Sequence, residues 1–290
     1  MSLDGDGFHV ATATVTVKIA HRWVLLQIHK ALGGDGWFVS TNWKTNAPLN
    51  AWYGVTTDIE GDVTQLRLSS NGLTGSIPPE IGHLRTLQEL WLDSQRIAGP
   101  IPPELANLSK LKTLILGHNL LTRTIPPEIG NLTELETLRI DYNRLTGAIP
   151  SGLARLTKLE SLSLNGNDLA GPIPPELGSL QNLTTLHLGS NALAGSIPPE
   201  LGNLEILETL DLGSNALTGS VPPEIGNLGL LSVLVVSHSR LSGRLPRELI
   251  GVPLREFSWH ETDLCSPADE KFLEWLESIR GQYGNRECSS

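Results

Sequence analysis

The feature that most constrains the fold of this sequence is a repeat of 24 residues, which runs without an insertion from residue 61 to about residue 252. The unit reads LxxLxLxxNxLxGxIPPELGNL, and an apolar residue followed by proline recurs in every copy, first at Ile77-Pro78. Eight full copies are followed by a shortened ninth that begins near Leu254. A constant period of this length indicates stacked coils, each of which contacts only its neighbours.

Each slot of the unit has a physical reason. The LxL pair, for example Leu66 and Leu68 around Arg67, predicts a short strand whose leucines point inward while the middle residue faces outward. The asparagine slot can satisfy backbone groups of adjacent turns, because an amide both donates and accepts hydrogen bonds. Gln95 and Ser239 replace asparagine in two coils, and we expect the ladder to be looser there.

Glycine and proline occupy the second half of the unit. The glycine slot favours a backbone with positive φ or a close contact between coils, and Arg123 replaces glycine in one coil. Proline after the apolar residue predicts an extended segment on the outer side and excludes a long helix there.

This unit resembles the plant-specific class of leucine-rich repeats, which occurs in receptor-kinase ectodomains and polygalacturonase-inhibiting proteins. The resemblance rests on the LxGxIPxxLGxL half and covers residues 61–264. It implies a right-handed solenoid with a parallel β-sheet on the concave face and helical caps at both ends. The domain boundaries that we predict are a flexible N-terminus at 1–16, an N-terminal cap at 17–60, the repeats at 61–264 and a C-terminal cap at 265–290.

The N-terminal cap is predicted to contain a helix, because apolar residues from Val24 to Leu32 recur at helical spacing before Gly33-Gly34. We interpret Trp37, Trp43 and Trp52 as packing residues of this cap, with ligand contact as the alternative. Plant receptors that carry the WxGV step usually have paired cysteines around it. This chain has none there, so its N-terminal cap is cysteine-free.

The C-terminal cap is predicted to be a second amphipathic helix. Ser266 is the expected N-cap residue, Pro267 the first helical position, and Phe272, Trp275, Leu276 and Ile279 the apolar stripe. The two cysteines, Cys265 and Cys288, flank this segment and are either reduced thiols or, as we predict, one disulfide worth about 3 kcal/mol.

Charge and motifs exclude several function classes. The net charge of −10 argues against binding to nucleic acid or to an anionic membrane surface. No apolar run is long enough to insert directly into a membrane, and no signal peptide is recognisable. The compartment therefore stays open: extracellular or secreted if a leader was removed, otherwise cytoplasmic. Catalytic, metal-binding and cofactor motifs are absent from the sequence, so we expect no enzyme activity, no metal site and no cofactor.

The outward strand positions are free to specialise for binding, since folding does not constrain them. Large or charged side chains concentrate there in the early repeats, and Trp91 is the most informative because exposed tryptophan is a typical binding anchor. The predicted ligand-binding residues of the concave face are Arg67, Trp91, Asp93, Ile115, His118, Arg139, Asp141 and Tyr142. A secondary patch contains Val235, His238 and His260.

These observations predict a non-catalytic recognition module that binds a peptide or protein in signalling or defence. Two alternatives remain: a carbohydrate-binding protein or inhibitor of cell-wall-degrading enzymes, whose partner would be an oligosaccharide or such an enzyme, and an intracellular scaffold fragment of a larger protein. Three N-x-S/T sequons, at Asn107, Asn131 and Asn182, would be used only in a secretory pathway, and they also arise easily from the repeat consensus.

Overall fold

The computed structural model describes residues 21–284 and 288, so the expected flexible N-terminus at 1–16 lies outside the described residues. Within them, eleven strands form one long sheet, in which the strands from β2 onward are parallel and β1 pairs antiparallel with β2. The strands of this long sheet are β1 (Val55–Thr57), β2 (Val63–Arg67), β4 (Glu89–Trp91), β6 (Thr113–Ile115), β8 (Thr137–Arg139), β10 (Ser161–Ser163), β12 (Thr185–His187), β14 (Thr209–Asp211), β16 (Val233–Val235), β18 (Glu256–Ser258) and β20 (Gly281–Tyr283).

A second sheet, which the repeat pattern did not predict, follows the glycine slot. In the described chain it has nine parallel strands: β3 (Thr74–Gly75), β5 (Arg96–Gly99), β7 (Leu120–Arg123), β9 (Arg144–Gly147), β11 (Asp168–Gly171), β13 (Ala192–Gly195), β15 (Ala216–Gly219), β17 (Arg240–Arg244) and β19 (Asp263–Cys265). After the apolar-proline step, where an extended segment without a long helix was predicted, the chain forms short 3₁₀ helices: Pro79–His83, Pro103–Asn107, Pro127–Asn131, Ser151–Arg155, Pro175–Ser179, Pro199–Asn203, Pro223–Asn227 and Arg247–Leu249. Two more, Gly34–Gly36 and Leu49–Ala51, lie in the N-terminal cap.

The leucines of successive coils share one continuous core. Leu66 pairs in register with Leu90, Leu90 with Leu114, and the same register continues coil by coil to Leu210. These leucines are essentially inaccessible to solvent and belong to one cluster that runs from the N-terminal to the C-terminal cap. The predicted solenoid with a parallel sheet along its concave face is confirmed.

The asparagine ladder connects each coil to the one before it. Asn143 is representative: its Oδ1 accepts a hydrogen bond from the Leu121 amide at 2.9 Å, and its Nδ2 donates to the carbonyl of Leu116 at 3.1 Å. Gln95 reproduces this pattern, since it accepts from the Leu73 amide and donates to the Leu68 carbonyl. The expectation that Gln95 loosens the ladder is therefore wrong, because its longer side chain reaches the same two groups.

Arg123 occupies the glycine slot with a φ of 69°, in the left-handed region that glycine adopts at the other positions of this slot. A side chain there costs about 1–2 kcal/mol relative to relaxed backbone, partly offset by the entropy that glycine loses on folding. We expect Arg123→Gly to raise the free energy of unfolding by about 0.5–1 kcal/mol in urea titrations. Arg144→Gly is the matched control: this arginine is also exposed and in a strand but has no positive φ, so the change should destabilise.

The N-terminal cap closes one end of the core. Residues 21–31 are helical as predicted, and Gly33, with a φ of 67°, ends the segment. Trp37, Trp43 and Trp52 are buried, and the Trp43 ring contacts the other two with ring centroids about 5 Å apart. Each indole donates to a backbone carbonyl. These rings are cap packing, as interpreted from the sequence.

A buried histidine is expected to make the stability of this cap depend on pH. Burial lowers the pKa of His21 below its ordinary 6.5, against the opposing pull of Asp62 and Asp58. The Val63 amide donates to its Nδ1 at 3.3 Å, a hydrogen bond that only the neutral ring can accept, and Asp62 Oδ1 lies 3.6 Å from the same nitrogen. Because the unfolded chain binds this proton more readily, stability should fall as pH drops from about 6.5 toward the lowered pKa.

The measurement is the free energy of unfolding at about pH 7.5 and about pH 5.5. His21→Gln should shrink the difference between the two values, since its amide oxygen accepts from Val63 without titrating. An unchanged difference would mean that His21 does not contribute to the pH dependence.

The C-terminal cap is a helix at Glu270–Ser278, but its N-cap differs from the prediction. Asp269, not Ser266, caps it, and its Oδ1 accepts from the Phe272 amide at 3.0 Å. Ser266 instead directly follows strand β19, where its carbonyl accepts from the Cys288 amide at 3.1 Å. Cys265 and Cys288 form the predicted disulfide. Neither cap helix, in the residues described, is long and apolar enough to cross a membrane.

Candidate functional site

The outward positions of the long sheet form a row with one residue per coil. Arg67 and Arg139 are exposed, and Trp91 and Ile115 are half-buried between them. Parallel register aligns the four in consecutive strands: Arg67 pairs with Trp91, Trp91 with Ile115, and Ile115 with Arg139. The structure thus brings these four predicted site residues together on one face.

The early coils enclose a cavity of about 250 Å³ beside this row. It is lined by Ser69, Trp91, Asp93, Ile115, Gly117, His118, Arg139 and Asp141. Six of these residues were predicted from the sequence, and Ser69 and Gly117 were not. Asp93, Gly117 and Asp141 occupy the same slot in three successive coils, so the missing side chain at Gly117 opens the space between the two carboxylates.

Asp141 was expected to be an exposed contact residue, and the structure corrects this. Asp141 is only 3% exposed, because its side chain folds back over Gly117. A Cβ added to Gly117 would lie 2.7 Å from Asp141 Oδ1, so only glycine leaves room for this arrangement. Arg139 Nε and His118 Nε2 each lie 3.6 Å from a carboxylate oxygen, beyond hydrogen-bonding distance. Oδ1 is buried without a hydrogen-bond partner.

Trp91 is held in place by its neighbours on one side. The Arg67 guanidinium lies over the indole ring, 4.8 Å from the centroid, and Arg67 is itself braced by a salt bridge to Glu89. The indole Nε1 is buried without a hydrogen-bond partner. Glu89 was missed from the sequence, although its position opposite Gln65 and next to Arg67 on paired strands is the signal that could have found it.

His118 and Tyr142 form the outer rim of the site. Their rings stack with centroids 4.5 Å apart and an interplanar angle of 18°, and both residues are exposed. Both also have a positive φ, near 50°, at the turn after the strand. This turn aims the two rings away from the core, where a ligand can contact them.

The secondary patch is a linear chain of hydrogen bonds. Glu261 Oε2 bonds His238 Nδ1 at 2.9 Å, the two histidines join through their Nε2 atoms at 3.0 Å, and His260 Nδ1 bonds Ser258 Oγ at 3.1 Å. Val235 lies beside this chain, half-buried. Because the polar atoms of this patch already have partners, the patch leaves fewer groups for a ligand than the first cavity.

The surface carries two other features. Burial raises the pKa of Asp211 above its ordinary value, against the opposing hydrogen bond from the Gly213 amide at 3.0 Å. A larger groove of about 850 Å³ crosses the 3₁₀ helices between Pro175 and Gly229, and small, amide and exposed acidic residues line it. Neither feature has an aromatic anchor.

Among the described residues, no three His, Cys, Asp or Glu side chains are placed to hold a metal ion. The sequon residues Asn107, Asn131 and Asn182 are all exposed.

Comparison with known families identifies the repeats. The model described as a leucine-rich repeat region matches residues 61–171, and the single leucine-rich-repeat model matches 182–204 and 207–228. The chain belongs to the leucine-rich-repeat family. Its plant-type repeats are also found in the solved structures that resemble it, which include receptor-kinase ectodomains.

Three solved structures illustrate what this chain is similar to. The plant peptide hormone receptor RGFR1 in complex with RGF2 is 41% identical, with a TM-score of 0.70, over 71% of this chain and 33% of that one. The ectodomain of the receptor kinase GASSHO1/SCHENGEN3 from Arabidopsis thaliana, in complex with Casparian strip integrity factor 2, is 34% identical, with a TM-score of 0.70, over 89% of this chain and 34% of that one. A plant ice-binding protein is 26% identical, with a TM-score of 0.71, over 93% of this chain and 98% of that one. The chain thus spans about a third of the length of the two receptors.

Proposed function

We propose that this protein is a non-catalytic recognition module that binds a peptide or protein ligand on the concave face of its early coils. The single observation that supports this most is the cavity between Asp93 and Asp141, with Trp91 and Ile115 as its apolar wall. Apolar anchors combined with a few polar groups that lack partners are typical of binding sites. Plant-type relatives solved with peptide hormones are consistent with an extended ligand.

We further propose that this binding serves signalling or defence, since the similar solved structures include peptide hormone receptors.

The size of the face limits the length of the ligand. Strands about 4.8 Å apart place the four coils from Arg67 to Arg139 along roughly 15 Å. An extended peptide advances about 3.3 Å per residue, so this face holds about four or five ligand residues. The protein's net charge of −10 favours a ligand with positive charge, because long-range attraction speeds the encounter.

Selection from a displayed random peptide library, with the full chain as bait, tests the proposal. We expect enriched peptides whose affinity for Trp91→Ala falls by about 2 kcal/mol, roughly thirtyfold, since a tryptophan anchor is lost. His187→Ala is the matched control, because His187 lies in the same outward row but outside the cavity. Failure to enrich any peptide, or equal affinities for the two variants, would contradict the proposed site.

The alternatives predict other outcomes. A carbohydrate ligand would give binding on a glycan array that disappears in Trp91→Ala, whereas an inhibitor of a wall-degrading enzyme would lower that enzyme's activity. An intracellular scaffold would also bind a protein, but Cys265 and Cys288 would be free thiols in the protein purified from its native source. The compartment and the use of the three sequons remain predictions that intact-mass measurement on such material would decide.

A second candidate function is ice binding. The plant ice-binding protein matches this chain over nearly the full length of both, unlike the longer receptors. The second sheet also presents small exposed side chains one coil apart, about 4.8 Å from each other, which form a regularly spaced array. These side chains are Thr146, Ala170, Ala194, Thr218 and Ser242. Thermal hysteresis that is present in the wild type and lost in Thr218→Lys would favour this candidate, and its absence would rule it out.

A further inference from the structure

The cavity of the early coils has a chemical character that narrows the class of ligand. Asp93 and Asp141 lie two coils apart, a distance of about 10 Å along the stack, with Gly117 between them. Both carboxylates line the cavity, and Trp91 and Ile115 form an apolar wall beside them. A ligand group that enters this space therefore meets acidic groups at both ends and an aromatic surface along its side.

The two carboxylates differ in how their oxygens are satisfied. Asp93 accepts hydrogen bonds from the hydroxyls of Ser69 and Ser94, which hold its orientation. Asp141 is nearly fully buried, yet its Oδ1 has no hydrogen-bond partner. A buried carboxylate oxygen without a donor is costly, so a ligand that supplies an N–H group gains the full value of that hydrogen bond.

Charge decides between a cationic and an anionic ligand. With histidine counted as neutral, the lining carries two carboxylates and one guanidinium, that of Arg139. Arg139 lies 3.6 Å from Asp141 Oδ1 without a hydrogen bond, and its side chain is half-exposed, so it can move aside without breaking a strong contact. Arg67 is already paired with Glu89 and adds no free positive charge. The balance therefore favours a cation.

We propose that this cavity binds a guanidinium group, such as an arginine side chain of the ligand, between Asp93 and Asp141. A guanidinium is planar and carries five N–H donors, so it can donate to both carboxylates while one face packs on an aromatic ring. An ammonium group lacks the flat face, and its three donors diverge from a single nitrogen, so it spans a narrower gap between two carboxylates. The inference rests on the proposed function and specifies which ligand residue the early coils select.

The test uses N-acetyl-arginine amide as the probe and N-acetyl-citrulline amide as its neutral, nearly isosteric control. Binding is followed through the NMR signal of the Trp91 indole N–H, assigned with Trp91→Phe. We expect saturable binding of the arginine probe in the millimolar range and at least tenfold weaker binding of the citrulline probe. N-acetyl-lysine amide should bind with intermediate affinity.

Three variants locate the effect. Asp141→Asn and Asp93→Asn each remove one charge at nearly constant shape and should weaken the arginine probe about tenfold. Gly117→Ala places a methyl group in the gap and should abolish binding. His187→Asn, outside the cavity, should leave it unchanged. Circular dichroism and the amide NMR spectrum of each variant show that it is folded, and the two Asp→Asn variants keep the test decisive if Gly117→Ala fails to fold.

Two results would overturn the inference: equal affinities for arginine and citrulline, or arginine binding that survives both Asp→Asn changes. Either result leaves the proposed function intact if library peptides still bind and their binding depends on Trp91. The peptides would then recognise the face through groups other than a guanidinium. If no peptide binds at all while the arginine probe does, the proposed function fails and the cation site remains.

Discussion

Replacing Asn143 with alanine is expected to lower the free energy of unfolding by about 3 kcal/mol. The amide of Asn143 is buried and connects three segments of backbone. Its Oδ1 accepts from the Leu121 amide at 2.9 Å, and its Nδ2 donates to the carbonyls of Leu116 and Ile140, each at 3.1 Å. Alanine leaves these backbone groups buried without partners, and the cost of an unsatisfied buried group exceeds the net value of an ordinary hydrogen bond.

Asn165→Ala is the matched control for this prediction. Asn165 is the same residue type in the next coil, but its side chain is half-buried and makes no hydrogen bond within the described chain. Its removal should change stability by less than about 0.5 kcal/mol. Hydrogen exchange adds a local readout, because the Leu121 amide should lose protection in Asn143→Ala and keep it in the control. A loss of stability similar in both variants would show that the ladder is not the cause.

The constant period and the buried leucines explain why so much of the fold could be predicted from the sequence. A strand whose leucines must be buried has one inward face, and a constant period places Leu66, Leu90 and Leu114 at the same height in every coil. The second sheet was missed because its strands are short and mostly exposed. Their pairing depends on the close approach of coils at the glycine slot and leaves no alternation of apolar and polar residues to recognise.

The candidate site was predicted only in part. Trp91 and Arg139 follow from their place between core leucines, so their outward direction was certain once the strands were known. The burial of Asp141 was not, because it depends on the absence of a side chain at Gly117 in the neighbouring coil. Comparing equivalent slots across coils, instead of reading each coil alone, would have revealed the gap. Ser266 was mistaken for the helix cap because its bond to Cys288 depends on a contact remote in sequence.

The second large effect is expected at the junction of the N-terminal cap and the first coil. Gly75 has a φ of 81°, and a Cβ there would lie 2.1 Å from the carbonyl oxygen of Ala31. The same junction holds the hydrogen bond from the Thr74 amide to the Leu32 carbonyl at 3.1 Å. Gly75→Ala should therefore push the cap helix away from strand β3 and break this hydrogen bond. The free energy of unfolding should fall by more than backbone strain alone would cause.

Gly99→Ala isolates the steric part of that cost. Gly99 has the same φ of 81°, but its nearest neighbour would be the Cβ of Ser76 at 3.4 Å. We expect about 1–2 kcal/mol of destabilisation at Gly99 from the left-handed backbone, and at least about 2 kcal/mol more at Gly75. Tryptophan fluorescence should shift to the red only in Gly75→Ala, because the three cap rings become hydrated. Equal losses and identical spectra would show that the cap adapts to the methyl group.

The cap also determines how rigidly the binding face is held at its first coil. The Arg67 amide donates to the Gly54 carbonyl at 2.8 Å, and Arg67 in turn covers the ring of Trp91. A cap released by Gly75→Ala should therefore weaken any ligand that uses Trp91, although Gly75 lines no part of the cavity. Gly99→Ala should leave that affinity unchanged. Ligand affinity that is the same in both variants would mean that the early coils are rigid without the cap.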